Sequence, residues 1–276
     1  MSPLFLLNKA NGYIPLKKQI SNLLVLSLLV VGAAGLSACA SNKKEPVIGK
    51  VDDLYNAGMN QLQAREFEAS IHTFEELERQ HPYSGWATRA QMMIVYAQYR
   101  IEKYEDALFN IDRFIRLHPG YEDLAYMYYM RGMIFYTQIS DVNRDQGFTE
   151  EAYKSFREVI QRFPDSRYAR DASLKITLTL DHMAGKEMTV GRFYLEQGKY
   201  LAALNRFKKV VDEYQQTLQV PEALYRLTEV YYALGLDDQA QRSAAVLGHN
   251  YPETDWYKMA YKLMTSKGHK PAKVVK

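Results

Sequence analysis

The chain has 276 residues, with 35 lysines and arginines, 32 aspartates and glutamates, and a single cysteine. One cysteine excludes an intrachain disulfide and is a poor basis for a metal site. The three surplus basic residues all precede residue 39, so the rest of the chain carries 32 charges of each sign. This balance argues against a nucleic-acid-binding protein, whose affinity comes largely from neutralising phosphates.

The first 38 residues have the layout of a secretory signal peptide. Lys9, Lys17 and Lys18 give a basic start, an apolar run follows over 20–31, and small residues occupy 32–35. A basic start, an apolar middle and small residues before a break are typical of a signal peptide. The alternative is an N-terminal transmembrane anchor, because residues 20–36 are about long enough to span a membrane when tilted.

The cysteine follows directly, in the stretch "LSAC" at 36–39. This stretch resembles the bacterial lipobox, and the resemblance implies that residues 1–38 are removed and that Cys39 is lipidated. Several acyl chains together give a stable membrane anchor. Ala40 and Ser41 come next, and the lack of an aspartate at the second position implies, by the same resemblance, sorting to the outer membrane. The alternative is an incidental cysteine beside an ordinary cleavage site.

Residues 39–50 hold little to bury, and we interpret them as a flexible tether. After them, apolar residues recur at helical spacing without a convincing run of alternating strand residues, which predicts an all-α domain. Small residues stand twelve positions before a proline in four places, and twelve positions before Gln215 in a fifth. These offsets match the helix–turn–helix unit of the tetratricopeptide repeat (TPR). The small residues are Ser70, Ala107, Ala152, Ala203 and Ala240.

We therefore predict a TPR solenoid over 51–266 with about five helix–turn–helix units. The expected repeats are 51–83, 84–119, 121–164, 165–217 and 220–252, followed by a capping helix at 253–266 and a disordered basic tail at 267–276. A residue that can accept a hydrogen bond follows several of the turns between repeats, where it can cap the next helix. The predicted N-caps are Ser84, Ser166 and Thr254.

The repeats are unequally spaced. The residues four positions after the small ones stand 37, 45, 51 and 37 residues apart, namely Phe74, Ile111, Phe156, Phe207 and Ala244. The 45-residue step predicts an insertion near 139–148. The 51-residue step predicts one long helix over 165–197, or two nearly coaxial helices with a kink at Gly185.

The domain carries no recognisable catalytic motif. Its insertion imitates the start of a calcium loop through Asp141, Asn143 and Asp145, but the glycine and the final glutamate of such a loop are missing from their positions. A solvated polar loop is the preferred interpretation. We expect no catalytic residue, no metal and no cofactor beyond the covalent lipid on Cys39.

A binding surface is the remaining expectation. Tyrosine is abundant, with 22 residues, and the concave face of a solenoid is the surface that such proteins use for binding. Most tyrosines are expected to pack between helices, but some A-helix residues should point into the groove. Tyrosine and arginine are enriched in binding hot spots. The candidate substrate-groove residues are Tyr55, Tyr96, Tyr99 and Arg100.

Four stretches resemble the BamD family, the lipoproteins of the machinery that inserts β-barrel proteins into the bacterial outer membrane. They are "ALFNIDRFIRLHP" (107–119), "YMYYMRGM" (126–133), "RFPDSRYARDA" (162–172) and "VGRFYLEQGKYLAALNRF" (190–207). The resemblance implies a non-enzymatic scaffold that is lipid-anchored to the outer membrane on its periplasmic side. It also implies that N-terminal repeats engage unfolded outer-membrane proteins, and that C-terminal repeats dock the POTRA region of BamA and the other Bam lipoproteins.

By the same resemblance, Arg206 matches a family position that contacts BamA. Arg206 precedes the buried-stripe residue Phe207 and should therefore point away from the core. Considered without the family, it is a solvated arginine that balances Asp212 or Glu213.

Two other functions stay open at this point. One is a TPR pilotin lipoprotein for assembly of a secretin or type IV pilus, which predicts evenly spaced 34-residue repeats. The other is a cell-wall enzyme, which needs a catalytic constellation that the sequence does not display.

Overall fold

The computed structural model describes residues 49–142 and 144–266, and the regular structure in these ranges is entirely helical. The proposed signal peptide, Cys39, nearly all of the tether and the basic tail lie outside the described residues. The helices are α1 (Val51–Gln63), α2 (Phe67–Gln80), α3 (Gly85–Arg100), α4 (Tyr104–Leu117), α5 (Leu124–Thr137), α6 (Gly147–Arg162), α7 (Ala169–Glu196), α8 (Tyr200–Glu213), α9 (Val220–Ala233), α10 (Asp237–Asn250) and α11 (Asp255–Ser266). Within these ranges, no helix combines the length and the apolar character needed to cross a bilayer.

Consecutive helices pack against each other along the chain, so that α1/α2, α3/α4, α5/α6, α7/α8 and α9/α10 form helix pairs and α11 packs on the last pair. The first helix of one pair also contacts the first helix of the next, as in α1–α3 and α3–α5. This arrangement confirms the predicted all-α TPR solenoid. Prolines follow four of the second helices, each of which ends two residues before its proline because proline cannot continue a helix.

Four of the five pairs are held by a small residue and a bulky residue one turn later, whereas the fifth has Ala244 at the second position. All five small residues that the repeat offsets identified are fully buried, and so are Phe74, Phe156 and Phe207. In three pairs the phenylalanine ring lies against a glycine of the preceding helix, where a Cβ on Gly58, Gly132 or Gly191 would approach a ring carbon to 2.6, 2.5 or 2.4 Å. The absence of a side chain at these glycines is thus what lets the ring enter.

The turn inside a repeat requires a left-handed backbone. Gly198 and Gly235 have φ values of 69° and 72°, and each stands five residues before the small residue of its repeat. Arg65 and Glu102 occupy the same place in the first two repeats, with φ values of 64° and 61°. A residue with a Cβ is strained there, because the left-handed region suits glycine.

Helix α7 has 28 residues, twice the 14 of α8, as the long step between repeats predicted. It begins at Ala169 and continues through Gly185 as one helix. Gly185 faces the insertion, where a Cβ would lie 3.5 Å from the Val142 side chain. The first half of α7 contributes Ala172 to the core of α3–α6, and the second half of α7 contributes Ala184 to the core of α8–α11.

Two of the three predicted N-caps are confirmed. The Ser84 hydroxyl accepts a hydrogen bond from the Ala87 amide at 3.1 Å, and the Thr254 hydroxyl accepts one from the Tyr257 amide at 3.3 Å. The prediction for Ser166 was wrong. The helix begins three residues later at Ala169, and the Ser166 hydroxyl is buried without a hydrogen-bond partner in the described structure.

Candidate partner-binding surfaces

A cavity of about 490 Å³ opens between the first helices of the first three repeats and the start of α7. We call it the N-terminal groove. Its lining consists of five tyrosines, three aliphatic side chains and three charged ones: Tyr55, Leu62, Arg89, Met92, Met93, Tyr96, Tyr121, Asp123, Tyr126, Arg167 and Tyr168. Aromatic and methionine side chains offer a large, adaptable apolar surface, which suits varied polypeptide partners.

The groove tyrosines are held by other rings. Tyr55 packs against Trp86 with ring centroids 4.6 Å apart, and Tyr126 packs against Tyr168 at 5.6 Å. Burial raises the pKa of Tyr126 well above its ordinary value, and the pKa of Tyr55 is raised for the same main reason. Both hydroxyls therefore stay protonated in the physiological range and can donate hydrogen bonds to a bound chain.

Two exposed arginines flank the groove. The Arg89 guanidinium lies over the Trp86 ring at 5.4 Å, and Arg167 donates a hydrogen bond to the Tyr168 hydroxyl at 2.6 Å. Neither arginine belongs to the ion pairs found among the described residues, and Asp123, whose charge acts on Arg167, is the one acidic residue of the lining. The rim of the groove therefore carries a net positive charge, which favours a ligand that brings a negative group.

Two of the four predicted groove residues line the N-terminal groove and two do not. Tyr55 and Tyr96 line the N-terminal groove, whereas Tyr99 and Arg100 do not. The Tyr99 hydroxyl hydrogen-bonds the Thr137 hydroxyl at 3.0 Å. Arg100 lies over the Phe67 ring at 4.7 Å and donates to the Tyr96 hydroxyl at 2.6 Å, so that it orients a groove residue from outside the lining.

Several lining residues are not among those that the sequence predicts for the groove. Met92 and Met93 were available as apolar neighbours of Tyr96 on α3, so helix position could have identified them. Tyr121 and Tyr168 belong to turns between repeats, outside the helices. Their place above the groove depends on how successive repeats stack, which has no local signal in the sequence.

A second candidate surface lies on the fourth repeat, where a buried carboxylate joins two cations. Glu187 of α7 accepts a hydrogen bond from Arg206 Nη1 at 2.9 Å through Oε2 and one from Lys209 Nζ at 2.7 Å through Oε1. The Glu187 side chain is 11% exposed, against 42% for Arg206 and 37% for Lys209. We call these three residues the repeat-four cluster.

The ion pairs shift the pKa values of Glu187 and Lys209. Burial raises the pKa of Glu187, but hydrogen bonds from Lys209 and Arg206 outweigh it and hold that pKa below its ordinary value. The hydrogen bond to Glu187 raises the pKa of Lys209 in turn. The suggestion that Arg206 pairs with Asp212 or Glu213 was wrong, because its partner is on the neighbouring helix, 19 residues earlier in the chain.

The surface beside the cluster is shallow and mixed in character. A cavity of about 340 Å³ is lined by Tyr194, Ala202 and Asn205 together with the two cations of the cluster. Leu201, next to it on α8, is 67% exposed. An exposed leucine beside a polar notch and two cations is a surface that could accept an apolar contact and a carboxylate at once.

No group of three or more histidine, cysteine, aspartate or glutamate side chains in the described ranges is arranged to hold a metal ion. Asn143 of the calcium-like stretch lies outside those ranges.

Comparison with known proteins identifies the family. A family described as "Outer membrane lipoprotein" (YfiO) matches residues 49–247. The outer membrane protein assembly factor BamD of Caulobacter vibrioides is 43% identical over 88% of this chain and 81% of its own length, and that of Rickettsia prowazekii is 43% identical over 87% and 96%. A solved TPR protein of Thermus thermophilus covers 78% of this chain and 98% of its own, with 18% identity and a TM-score of 0.37. With the matching family and these relatives spanning most of the chain, the protein belongs to the BamD family of outer membrane lipoproteins.

Proposed function

We propose that this protein is a lipid-anchored, non-enzymatic scaffold of the outer-membrane β-barrel assembly machinery. In this proposal the N-terminal groove engages unfolded outer-membrane proteins, and the fourth repeat docks the POTRA region of BamA, close to the other Bam lipoproteins. The family and the names of the relatives support a role in outer-membrane protein assembly. The observation that carries the finer proposal is the separation of two unlike surfaces on different repeats of one solenoid.

The proposed anchor is the lipid on Cys39, at the periplasmic face of the outer membrane. The tether of residues 39–50 leads from it to α1, which begins at Val51. An extended chain spans at most ~3.3–3.6 Å per residue, so this tether reaches roughly 40 Å. The anchor would thus keep the first repeat, and with it the N-terminal groove, close to the membrane into which substrates are inserted.

The groove fits an extended, unfolded polypeptide. Its five tyrosines provide apolar faces with hydroxyl groups that can bond a peptide backbone, and its two methionines can adapt to different side chains. Arg89 and Arg167 add two positive charges at the rim, against the single negative charge of Asp123 in the lining. Together these features support recognition of the C-terminal signal of an unfolded outer-membrane protein, as the family resemblance implies.

The test is site-specific photo-crosslinking on the mature protein. A photoreactive residue replaces Tyr96 in the groove or, as the matched control, Phe109, an aromatic residue of α4 that is 65% exposed and does not line the groove. With a synthetic peptide corresponding to the C-terminus of an outer-membrane β-barrel protein, we expect crosslinks from position 96 and not from position 109. Equal crosslinking at both positions would contradict a specific groove.

A pilotin function is not supported to the same degree. The relatives reported above are named as BamD assembly factors, and the 28-residue α7 departs from the even 34-residue repeats that this alternative predicts. No nucleic acid, metal or organic cofactor enters the proposal.

A further inference from the structure

The repeat-four cluster contains one carboxylate and two cations, and the carboxylate is the buried member. Lys209 donates to Oε1 of Glu187 and Arg206 donates to Oε2, so each cation contacts one oxygen. Among the described contacts, Arg206 is held by Nη1 alone. Its Nη2 and Nε atoms form no hydrogen bond with any described residue, and they remain available to a partner.

This arrangement differs from a simple ion pair in two respects. One negative charge against two positive ones leaves the cluster with a net positive charge. The guanidinium is also fixed at one nitrogen while its other donors stay free, which reduces the rotamer entropy that a partner must otherwise remove on binding. A planar fork oriented in this way matches the two oxygens of a carboxylate.

We infer that Glu187 is a positioning residue for partner docking: it holds Arg206 along the α7–α8 seam, with the free edge of its guanidinium turned to a carboxylate of the partner protein. The inference rests on the proposed docking of BamA by the fourth repeat, with Arg206 as the contact residue that the family resemblance implies. Glu187 itself is too buried to contact the partner, and it acts through the arginine. The exposed Leu201 and the notch beside Asn205 extend the same surface on α8.

A second cluster in the same half of the solenoid provides a matched control. Glu222 of α9, 14% exposed, accepts hydrogen bonds from Arg192 at 3.1 Å and from Arg226 at 3.4 Å. Arg226 is also paired with Glu229 at 2.8 Å, so two acids balance two arginines there. Replacement of Glu222 disturbs a comparable buried carboxylate without releasing an arginine that we assign to docking.

The experiment measures the dissociation constant of the purified, lipidated protein for its cognate BamA in mild detergent. The variants are Arg206→Gln, Glu187→Gln, Glu222→Gln and the double variant Glu187→Gln/Arg206→Gln, and thermal unfolding is recorded for each. Glu187→Gln keeps the shape of the side chain and removes its charge. We expect it to weaken BamA binding about tenfold, because the guanidinium of Arg206 loses its fixed orientation and must be ordered on binding.

The double variant separates positioning from general destabilisation. If Glu187 acts through Arg206, Glu187→Gln should have no further effect once Arg206 is glutamine, and Glu222→Gln should leave binding unchanged even where it lowers the unfolding temperature. Unchanged binding by Glu187→Gln, or an equal loss in both backgrounds, would overturn the inference while leaving the docking proposal intact. Unchanged binding by Arg206→Gln would overturn the docking assignment and the inference with it.

Discussion

Replacing Gly191 by alanine tests the packing rule of the repeats most directly. The new methyl carbon would lie 2.4, 2.8 and 2.9 Å from three ring carbons of Phe207, which is fully buried. Because carbon atoms prefer separations of ~3.5–4.0 Å, the ring must move by roughly 1 Å in a filled core. Overpacking of this kind costs about 1–3 kcal/mol, and the better helix propensity of alanine offsets at most ~1 kcal/mol.

We therefore expect Gly191→Ala to lower the free energy of unfolding by about 1–2 kcal/mol, since the displaced group is a rigid ring. For a domain of this size the unfolding temperature should fall by roughly 2–8 °C. Thermal and urea unfolding of the mature protein, followed by circular dichroism, measure both quantities. In a Phe207→Leu background the same substitution should cost less, because the interfering ring carbons are gone.

Gly185 on the same helix is the matched control. An alanine there meets only the Val142 side chain, at an ordinary contact distance of 3.5 Å. Gly185→Ala should gain helix propensity without overpacking and stabilise the protein by up to ~1 kcal/mol. The two substitutions on α7 are thus predicted to have opposite signs. A neutral or stabilising Gly191→Ala would refute the claim that the repeat glycines exist to admit the phenylalanine rings.

Three further predictions concern the anchor, the turns and the repeat-four cluster. Cys39→Ser should abolish lipidation and leave an uncleaved or mislocalised precursor, whereas normal mature mass and outer-membrane fractionation would contradict the anchor. Gly198→Ala should destabilise the protein by roughly 1 kcal/mol because of its positive φ, while Glu102→Gly at the equivalent turn should not; equal losses in urea unfolding would contradict this. Hydrogen bonds from Lys209 and Arg206 hold the folded-state pKa of Glu187 below its ordinary value, so its stabilising effect is present above the unfolded pKa and is lost as pH falls through the folded one. The stability difference between wild type and Glu187→Gln should therefore be constant from neutral pH down to about 5.5 and shrink in acid; a difference independent of pH in acid would disagree.

The ion pair with Glu187 decides which docking variant is informative. Arg206→Glu is unsuitable as a test of BamA docking. With Glu187 at 2.9 Å, a glutamate at position 206 would face a buried carboxylate. Breaking a buried pair by leaving like charges together is strongly destabilising. Arg206→Gln avoids that repulsion, so a loss of BamA binding can be assigned to the interface.

The sequence by itself determined the helical repeats. In the repeat pattern a small residue stands four positions before a bulky one and twelve positions before a proline. This pattern depends only on helical periodicity and on proline ending a helix. The same arithmetic predicted that α7 is about fourteen residues longer than its counterparts, because an insertion of four whole turns keeps the buried face in register. Ser84 and Thr254 could be identified as N-caps since a cap interacts with residues only two or three positions away.

Only the tertiary structure decided which side chains meet across repeats. Tyr121 and Tyr168 reach the N-terminal groove from turns, and Glu187 meets Arg206 because α7 and α8 pack in one register. Arg65 and Glu102 adopt the left-handed backbone conformation that Gly198 and Gly235 adopt in later repeats. Their residue types therefore do not predict this conformation. Contacts within one helix follow from spacing along the chain, whereas contacts between helices depend on packing angles and offsets that many residues set together.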